Sequence, residues 1–370
     1  MGIHNLHKFL TTNTKSGIEE ISSKKLEDKI LAIDTSIFIY QFASAIKNST
    51  DELKTSDGKI TTHIQAILSK TLGMLKKKIK PIFVFDGRPP KLKQNVLDNR
   101  KSIKNTAKEQ IENINKEIDD ANDEDKVKLK EEKLKLLKKS VNVSQTQMKE
   151  CKELLNLLGI PIIESLEEAD SQCAWLVKNG LADAVASEDM DILTFGTNKL
   201  IRKLSGKDHV VEYNLETILK ELKLNQDEFI DLCILLGCDY TDTIDGIGPK
   251  KAYDLIKKYR TIDNIIMQDS NFINEKYKLP ENFNYHAAKN YFKNPPIKII
   301  QKEEIKWSTP NYEELKNILI NKYEYTEENI NKIFGILEGG YYSVINGNKT
   351  KEQFIKDRTK YYNSLFIDSD

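Results

Sequence analysis

Three short stretches of the chain share one hydropathy pattern, an apolar run of about four residues that halts at an aspartate. They are "ILAIDTS", ending at Asp34, "PIFVFDG", ending at Asp86, and "DAVASEDMD", ending at Asp189 and Asp191. Runs this short, apolar at odd and even positions alike, suit strands buried on both faces, as in a parallel sheet. Helical periodicity lies between them, over 60–78 and over 147–158, the second stopped by Gly159 and Pro161. The pattern predicts an α/β fold with a mostly parallel central sheet flanked by helices. Ligands of such sheets gather at the carboxyl ends of the strands, where these aspartates fall.

The pair in "VASEDMDILTFG" poses a sharper question. On an extended segment Asp189 and Asp191 would point to the same side and repel unless a proton or a cation sat between them. A solvated turn is the plain alternative for an isolated D-x-D. Further acids join the set. Glu168 and Asp170 fall in the first turn of a helix expected to begin in "EEADSQCAWLVKNG", with Cys173, Ala174 and Val177 as its apolar stripe, and Asp239 follows an apolar run and a glycine in "LCILLGCDY". Acids in a first turn can simply complement the helix dipole. Together, however, Asp34, Asp86, Glu168, Asp170, Asp189, Asp191 and Asp239 are costly to assemble without cations. Hard oxygen donors favour magnesium or manganese, and two such ions about 3.5–4 Å apart can clamp the attacking and leaving oxygens of a phosphodiester. Phosphotransfer through an aspartyl phosphate also uses an acid pair after a strand, but Asp34 is followed by Thr35 and Ser36 rather than by a second acid two positions on.

Charge changes the picture through its distribution. The 370 residues carry 57 basic and 57 acidic side chains, a balance that by itself argues against a uniformly basic nucleic-acid binder. Yet Thr71 to Lys104 holds ten basic residues against two acidic ones, a sector of positive potential. Only five basic residues are arginine, so phosphate contacts would be mostly lysine point charges. "GIGPKKA", Gly246 to Ala252, reads as a hairpin before a helix. Gly246 and Gly248 let backbone N–H groups approach a phosphate without Cβ obstruction, and Lys250 and Lys251 add charge. A bare loop-to-helix junction is the alternative. As a helix-hairpin-helix element it would grip duplex backbone without reading sequence, and such elements hold a potassium ion on backbone carbonyls, here around Thr243 to Gly248.

The four cysteines form no C-x-x-C pair, so reduced, mostly buried thiols are expected and zinc is not; His4 and His7 are expected to face core or solvent. No stretch approaches the roughly 18 apolar residues of a membrane span, and the N-terminus lacks a basic-then-apolar signal pattern, so a soluble intracellular protein without membrane contact is expected. From Pro90 to Val143 the chain turns highly charged and helix-favouring, with a break at "DDANDED". Lys101 to Lys139 holds eleven basic and ten acidic residues, which alone suggests a solvated helical hairpin or a disordered insertion. After Tyr259 the chain reads as mainly helical, and the last twenty or so residues show no periodicity.

The order of these motifs resembles the flap endonucleases of the 5′ structure-specific nuclease family, of eukaryotic, archaeal or large-DNA-virus type. The matching stretches are "MGIHNLHKFL", "AIDTSIFIYQF", "FVFDGRPPKLK", "EADSQCAWLVK", "SEDMDILTFG", "DLCILLGCDYTDTIDGIGPKKA" and "IKWSTPNYEEL", in family order over nearly all of the chain. The resemblance implies a nuclease region at 1–90, a helical arch at 91–148, a second nuclease region at 149–240, helix-hairpin-helix and C-terminal helices at 241–335, and a tail at 336–370. It implies two Mg2+ ions, replaceable by Mn2+, with Asp34, Asp86, Glu168 and Asp170 mainly on one and Asp189, Asp191 and Asp239 mainly on the other. Asp170 stands where the family usually has glutamate, which shortens the reach by one methylene and suggests ligation through water. Lys93 and Arg100 would steer and polarise the scissile phosphate, Tyr40 would stack on a base, and Gly2 would become the N-terminus after methionine removal and lie close to DNA. The charged insertion would be an arch, longer than usual, that a single-stranded 5′ flap threads.

The implied activity is 5′ flap endonuclease with 5′-3′ exonuclease activity, hydrolysing DNA at flap junctions in replication and repair, by a monomer reading branched DNA through its shape. A related 5′ exonuclease, a junction resolvase and a catalytically weak DNA-binding scaffold are the alternatives. A sliding clamp is a further expected partner of the family, yet Gln353 is followed by Phe354, Ile355 and Lys356, out of register with the usual clamp motif. The lysine and asparagine bias suggests an AT-rich genome of a protist or large DNA virus, hence a nucleus or a cytoplasmic viral replication site.

Overall fold

The computed structural model describes residues 2–46, 53–120, 123–204, 208–274 and 276–344. A seven-stranded sheet organises the chain: β1 (Ile18–Ser22), β2 (Ile30–Asp34), β3 (Lys80–Phe85), β4 (Ile162–Glu164), β5 (Ala184–Ala186), β6 (Lys199–Arg202) and β7 (His209–Asn214), in the order β1-β7-β6-β5-β2-β3-β4. The five strands from β6 to β4 are mutually parallel, while β7 runs antiparallel to β6 and to β1. Alternate residues feed two cores. Ala32, Ile82, Val84 and Val185 pack on one side of the sheet, and Leu31, Ile33, Phe83 and Phe85 on the other. Two buried faces explain why the strands read as unbroken apolar runs.

Helices α1 (Leu6–Asn13), α2 (Thr35–Ile46) and α3 (Thr62–Lys76) come before β3 and α4 (Gln94–Asp120), α5 (Asp123–Lys139) and α6 (Gln145–Leu157) after it. Next are α7 (Ala169–Lys178), α8 (Asp191–Thr194), α9 (Leu215–Leu222), α10 (Gln226–Leu236) and α11 (Pro249–Tyr259). The C-terminal part is helical, as its composition predicts, with α12 (Ile262–Gln268), α13 (Ser270–Ile273), α14 (Tyr285–Lys293), α15 (Tyr312–Tyr323) and α16 (Glu327–Val344). The charged insertion forms a helical hairpin, α4 against α5, closed by a small apolar core of Ala107, Ile114 and Leu136. Its exposed remainder is mostly polar, with Ile103 and Val127 the large apolar exceptions, which is why its sequence looks solvated. All four cysteines are free and buried. Cys173 and Ala174 of the predicted α7 stripe are buried, and Val177 packs half-buried against the same core beside the fully buried Leu176.

Candidate active site

Parallel register carries four chain segments to one edge of the sheet. Asp34 is the last residue of β2 and pairs with Val84, so β3 ends one residue later and delivers Asp86 beside it. Ile33 pairs with Ala186 at the end of β5, and Phe85 with Glu164 at the end of β4, so the loops to Asp189 and to Glu168 leave from the same edge. The strand order reverses between β2 and β5, the position where sheets of this type open a crevice. The cavity there, of about 410 Å³, is bordered by Asp34, Asp86, Glu168, Asp170, Asp189 and Asp239. Tyr40, Lys93 and Arg100 border it too. The seventh predicted acid, Asp191, lies behind this rim, buried, with Oδ1 accepting the backbone N–H of Ile3 at 2.6 Å.

The Asp189–Asp191 pair departs from the extended geometry expected of it. Strand β5 ends at Ala186, Asp189 sits in the loop, and Asp191 opens α8. The Asp191 N–H donates to Asp189 Oδ1 at 3.2 Å, a turn contact that an extended segment could not make. The reason is local, since Ser187 Oγ accepts the Asp189 N–H at 3.0 Å and bends the chain as it leaves the sheet. The same hydroxyl donates to Asp34 Oδ2 at 2.9 Å. Ser187 thus ties two carboxylate segments together, a role that no sequence signal announced.

Electrostatics account for the rest. Burial first, then the neighbouring Asp86, pushes Asp34 up to about 7. Burial, with Asp34 and Asp189 adding, holds Asp170 well above the usual carboxylate range, and burial with Asp189 does the same to Asp191. Lys93 and Arg100 supply the positive charge that pairs with these acids, and Lys104 and Lys152 also border the cavity. Lys93 Nζ is ion-paired with Glu168 and lies 3.3 Å from Asp239, and Arg100 reaches Asp239 at 2.7 Å. Burial acts to lower the Lys93 ammonium, but Glu168 and Asp239 outweigh it and hold it above the ordinary lysine value. Glu168, at the N-cap of α7, also accepts the Tyr240 hydroxyl, and Asp86 accepts the Ala169 N–H at 2.8 Å. Tyr240 was legible only as the neighbour of Asp239.

Among the described residues no three histidine, cysteine or acidic side chains converge on one point as a ready-made metal cage. Lys93 and Arg100, drawn onto Glu168 and Asp239, account for part of that spread. The donor set nevertheless fits hard divalent cations. It consists of carboxylate oxygens, several raised by burial and mutual repulsion, and Asp170 Oδ1 is buried with no hydrogen-bond partner.

Gly2 presses on this cluster. Its φ is +75°, and a Cβ built there would lie 1.8 Å from Asp189 Oδ1 and 2.5 Å from Asp191 Oδ1. His7, as expected, pairs with a core group, the Tyr213 hydroxyl, at 2.7 Å.

The hairpin motif lies between α10 and α11. Gly246 has φ +79°, Gly248 is the N-cap of α11 and Pro249 its first residue. Lys250 is exposed. Lys251 instead folds back, donating to the Gly246 carbonyl at 2.9 Å and to Tyr277, so its charge braces the hairpin. Gln353 lies outside the described residues.

An acidic cleft at the switch point of a parallel sheet, with α4 of the helical hairpin on its wall and a glycine-turned hairpin leading into α11, is the architecture of the structure-specific nuclease class. The chain matches the XPG N-terminal domain over residues 1–107 and the XPG I-region over 159–239. It is 39% identical over 334 residues to flap endonuclease 1 of Nematostella vectensis, covering 89% of this chain and 85% of that one. Against the Plasmodium knowlesi flap endonuclease 1 it is 42% identical over 347 residues, 88% of this chain, and spans 56% of that relative's length. Among solved structures, the flap endonuclease-1 of Methanococcus jannaschii superposes with a TM-score of 0.66 at 26% identity, over 90% of this chain and 97% of that one. The Rad2 catalytic core with DNA substrate gives 0.69 at 24%, over 91% and 100%, a likeness of fold. The chain belongs to the flap endonuclease family.

Proposed function

We propose that this protein hydrolyses DNA phosphodiesters at the junction of a duplex and a 5′ flap, with 5′-3′ exonuclease action on free ends, in replication and repair. The observation that carries the reading is the single sheet edge at which carboxylates delivered by four parallel strands, Asp34, Glu168 and Asp189 among them buried, face Lys93 and Arg100 at the foot of the α4–α5 hairpin. Two Mg2+ ions, or Mn2+ in their place, would be held by Asp34, Asp86, Glu168 and Asp170 on one side and by Asp189, Asp191 and Asp239 on the other. When bound, such ions supply Lewis acidity toward phosphate and water. A relative solved with product DNA and Mg2+, the junction-resolving enzyme GEN1, supports that choice of metal.

The chain's own groups do the positioning. Lys93 and Arg100 exchange Glu168 and Asp239 for the scissile phosphate, bringing charge to where the transition state gathers it. Tyr40, half-buried on the cavity wall, offers a ring on which an unpaired base stacks. The 5′ strand passes beneath α4 and α5. Gly246, Gly248 and Lys250 hold duplex backbone, with K+ on the hairpin carbonyls, while Lys251 keeps the hairpin in shape. The protein acts as a monomer on branched DNA. The divisions at 1–90, 91–148, 149–240, 241–335 and 336–370 are proposed as its functional units.

Cleavage of a labelled double-flap oligonucleotide with Mg2+ or with EDTA, beside Asp189→Ala, tests the reading. Incision at the flap junction that needs Mg2+ and fails in the variant is expected. Tight binding without incision would instead favour a DNA-binding scaffold, and incision in EDTA would refute the metal assignment.

A further inference from the structure

Glu168 is held from two directions by side chains of different elements. Lys93, from the foot of the arch, takes Oε1, and Tyr240, just beyond α10, donates its hydroxyl to Oε2. Tyr240 is 3% exposed, and its ring packs tilted against Tyr291 and edge-on against Phe292 of α14 at centroid distances of 4.7 and 5.0 Å. Lys93 Nζ stands 5.9 Å from the same ring. The two holders are not alike. Lys93 ends a flexible stem and has Asp239 as an alternative partner at 3.3 Å, whereas the Tyr240 hydroxyl is fixed by a ring packed on a helix.

We infer that Tyr240 is a positioning residue for Glu168, the hold that persists when a divalent cation and a phosphate draw Lys93 away. This inference rests on the reading of Glu168 as a metal ligand. A glutamate tethered at one oxygen keeps the other turned to the cleft. Untethered, it spreads over its rotamers and meets a cation in only a fraction of them. The arrangement also links the C-terminal helices to the cleft, because α14 forms the floor on which Tyr240 rests.

Tyr240→Phe removes the hydroxyl and leaves the ring. In DNA-free protein, Mn2+ binding followed by electron paramagnetic resonance should weaken about tenfold, the range of loss when a ligand's orienting partner is removed. Single-turnover flap cleavage at subsaturating Mg2+ should fall comparably and recover at high Mg2+, with flap affinity in EDTA unchanged. A merely structural role would not be rescued by the ion. In a Glu168→Gln background the added Tyr240→Phe change should not weaken Mn2+ binding further. Parental Mn2+ affinity in Tyr240→Phe, or an equal additional loss beside Glu168→Gln, overturns the inference. Should Tyr240→Phe fail to fold, 19F spectra of the intact protein carrying 3-fluorotyrosine decide the matter. The Tyr240 resonance should move on adding Mg2+ and in Glu168→Gln, and a resonance indifferent to both overturns the inference. If the parental protein itself neither binds Mn2+ nor cuts flaps, it is the nuclease reading that fails.

Discussion

Substituting Gly2 by alanine probes the cleft at its tightest point. The residue adopts φ +75°, where a side chain costs about 1–2 kcal/mol through contact between Cβ and its own carbonyl. The larger effect is external. The new Cβ would stand 1.8 Å from Asp189 Oδ1 where ordinary contact begins at 3.4 Å, leaving it about 1.6 Å too close. One of two parts must yield. If the N-terminal segment lifts, it breaks the 2.6 Å bond from Ile3 N–H to Asp191, a buried hydrogen bond worth about 0.5–1.5 kcal/mol. If the carboxylate swings instead, the proposed metal ligand Asp189 would move by more than an ångström, a displacement that would cost about a hundredfold in rate. Gly2→Ala should therefore cleave a flap substrate about a hundredfold more slowly under single-turnover conditions with saturating Mg2+. DNA affinity measured separately by anisotropy in Ca2+ should change little. Parental cleavage by this variant would refute the argument, because it would mean that the N-terminal segment does not rest on Asp189 and Asp191 in the working enzyme.

Other perturbations test the remaining parts. Lys250→Ala, at the exposed corner of the hairpin, should lower the slope of log affinity against log salt by about 0.9, the share of the single phosphate that this lysine is proposed to neutralise, with the cleavage rate at saturation unchanged. A buried pair between α3 and α6 should contribute to acid sensitivity: His63 Nε2 lies 2.7 Å from Glu150, which Lys59 and Lys322 also hold. Burial lowers His63 below its ordinary 6.5, so the unfolded chain takes up its proton first and stability is lost as pH falls below that value. Burial alone would raise Glu150, but its bonds to Lys59, His63 and Lys322 bring it down to about 2, so a second loss sets in below 4.5 as pH falls towards 2. Thermal unfolding across pH should show both phases, and Glu150→Gln should remove the lower one. Leu136→Ala should open the small core between α4 and α5 at a cost of about 2–4 kcal/mol. Hydrogen exchange should then rise in both helices and stay unchanged in β2 and β3, and uniform protection would contradict the picture of the hairpin as a separately packed unit.

Strands β2, β3 and β5 were legible because burial on both faces writes an unbroken apolar run, and the acids at their ends stood out against it. Helices α3, α6 and α7 were legible from periodicity and stop signals, and the hairpin at Gly246 from glycines that only a special backbone requires. Strands β1 and β7 were not, since their burial is partial and their charged residues mask the alternation. The residues that hold the acids in place were hidden for a different reason. Ser187 and Tyr240 are common residue types, and their roles depend on partners far along the chain: Asp34 is 153 positions from Ser187, and Glu168 is 72 from Tyr240. Residue chemistry and local pattern thus decided which segments are strands, which acids stand at their ends and which loop turns on glycines before α11. Register decided the rest. Pairing Asp34 with Val84, Ile33 with Ala186 and Phe85 with Glu164 places the acids at one edge, and only the packed fold sets Gly2 against Asp189 and Asp191 and brings Tyr277 to Lys251.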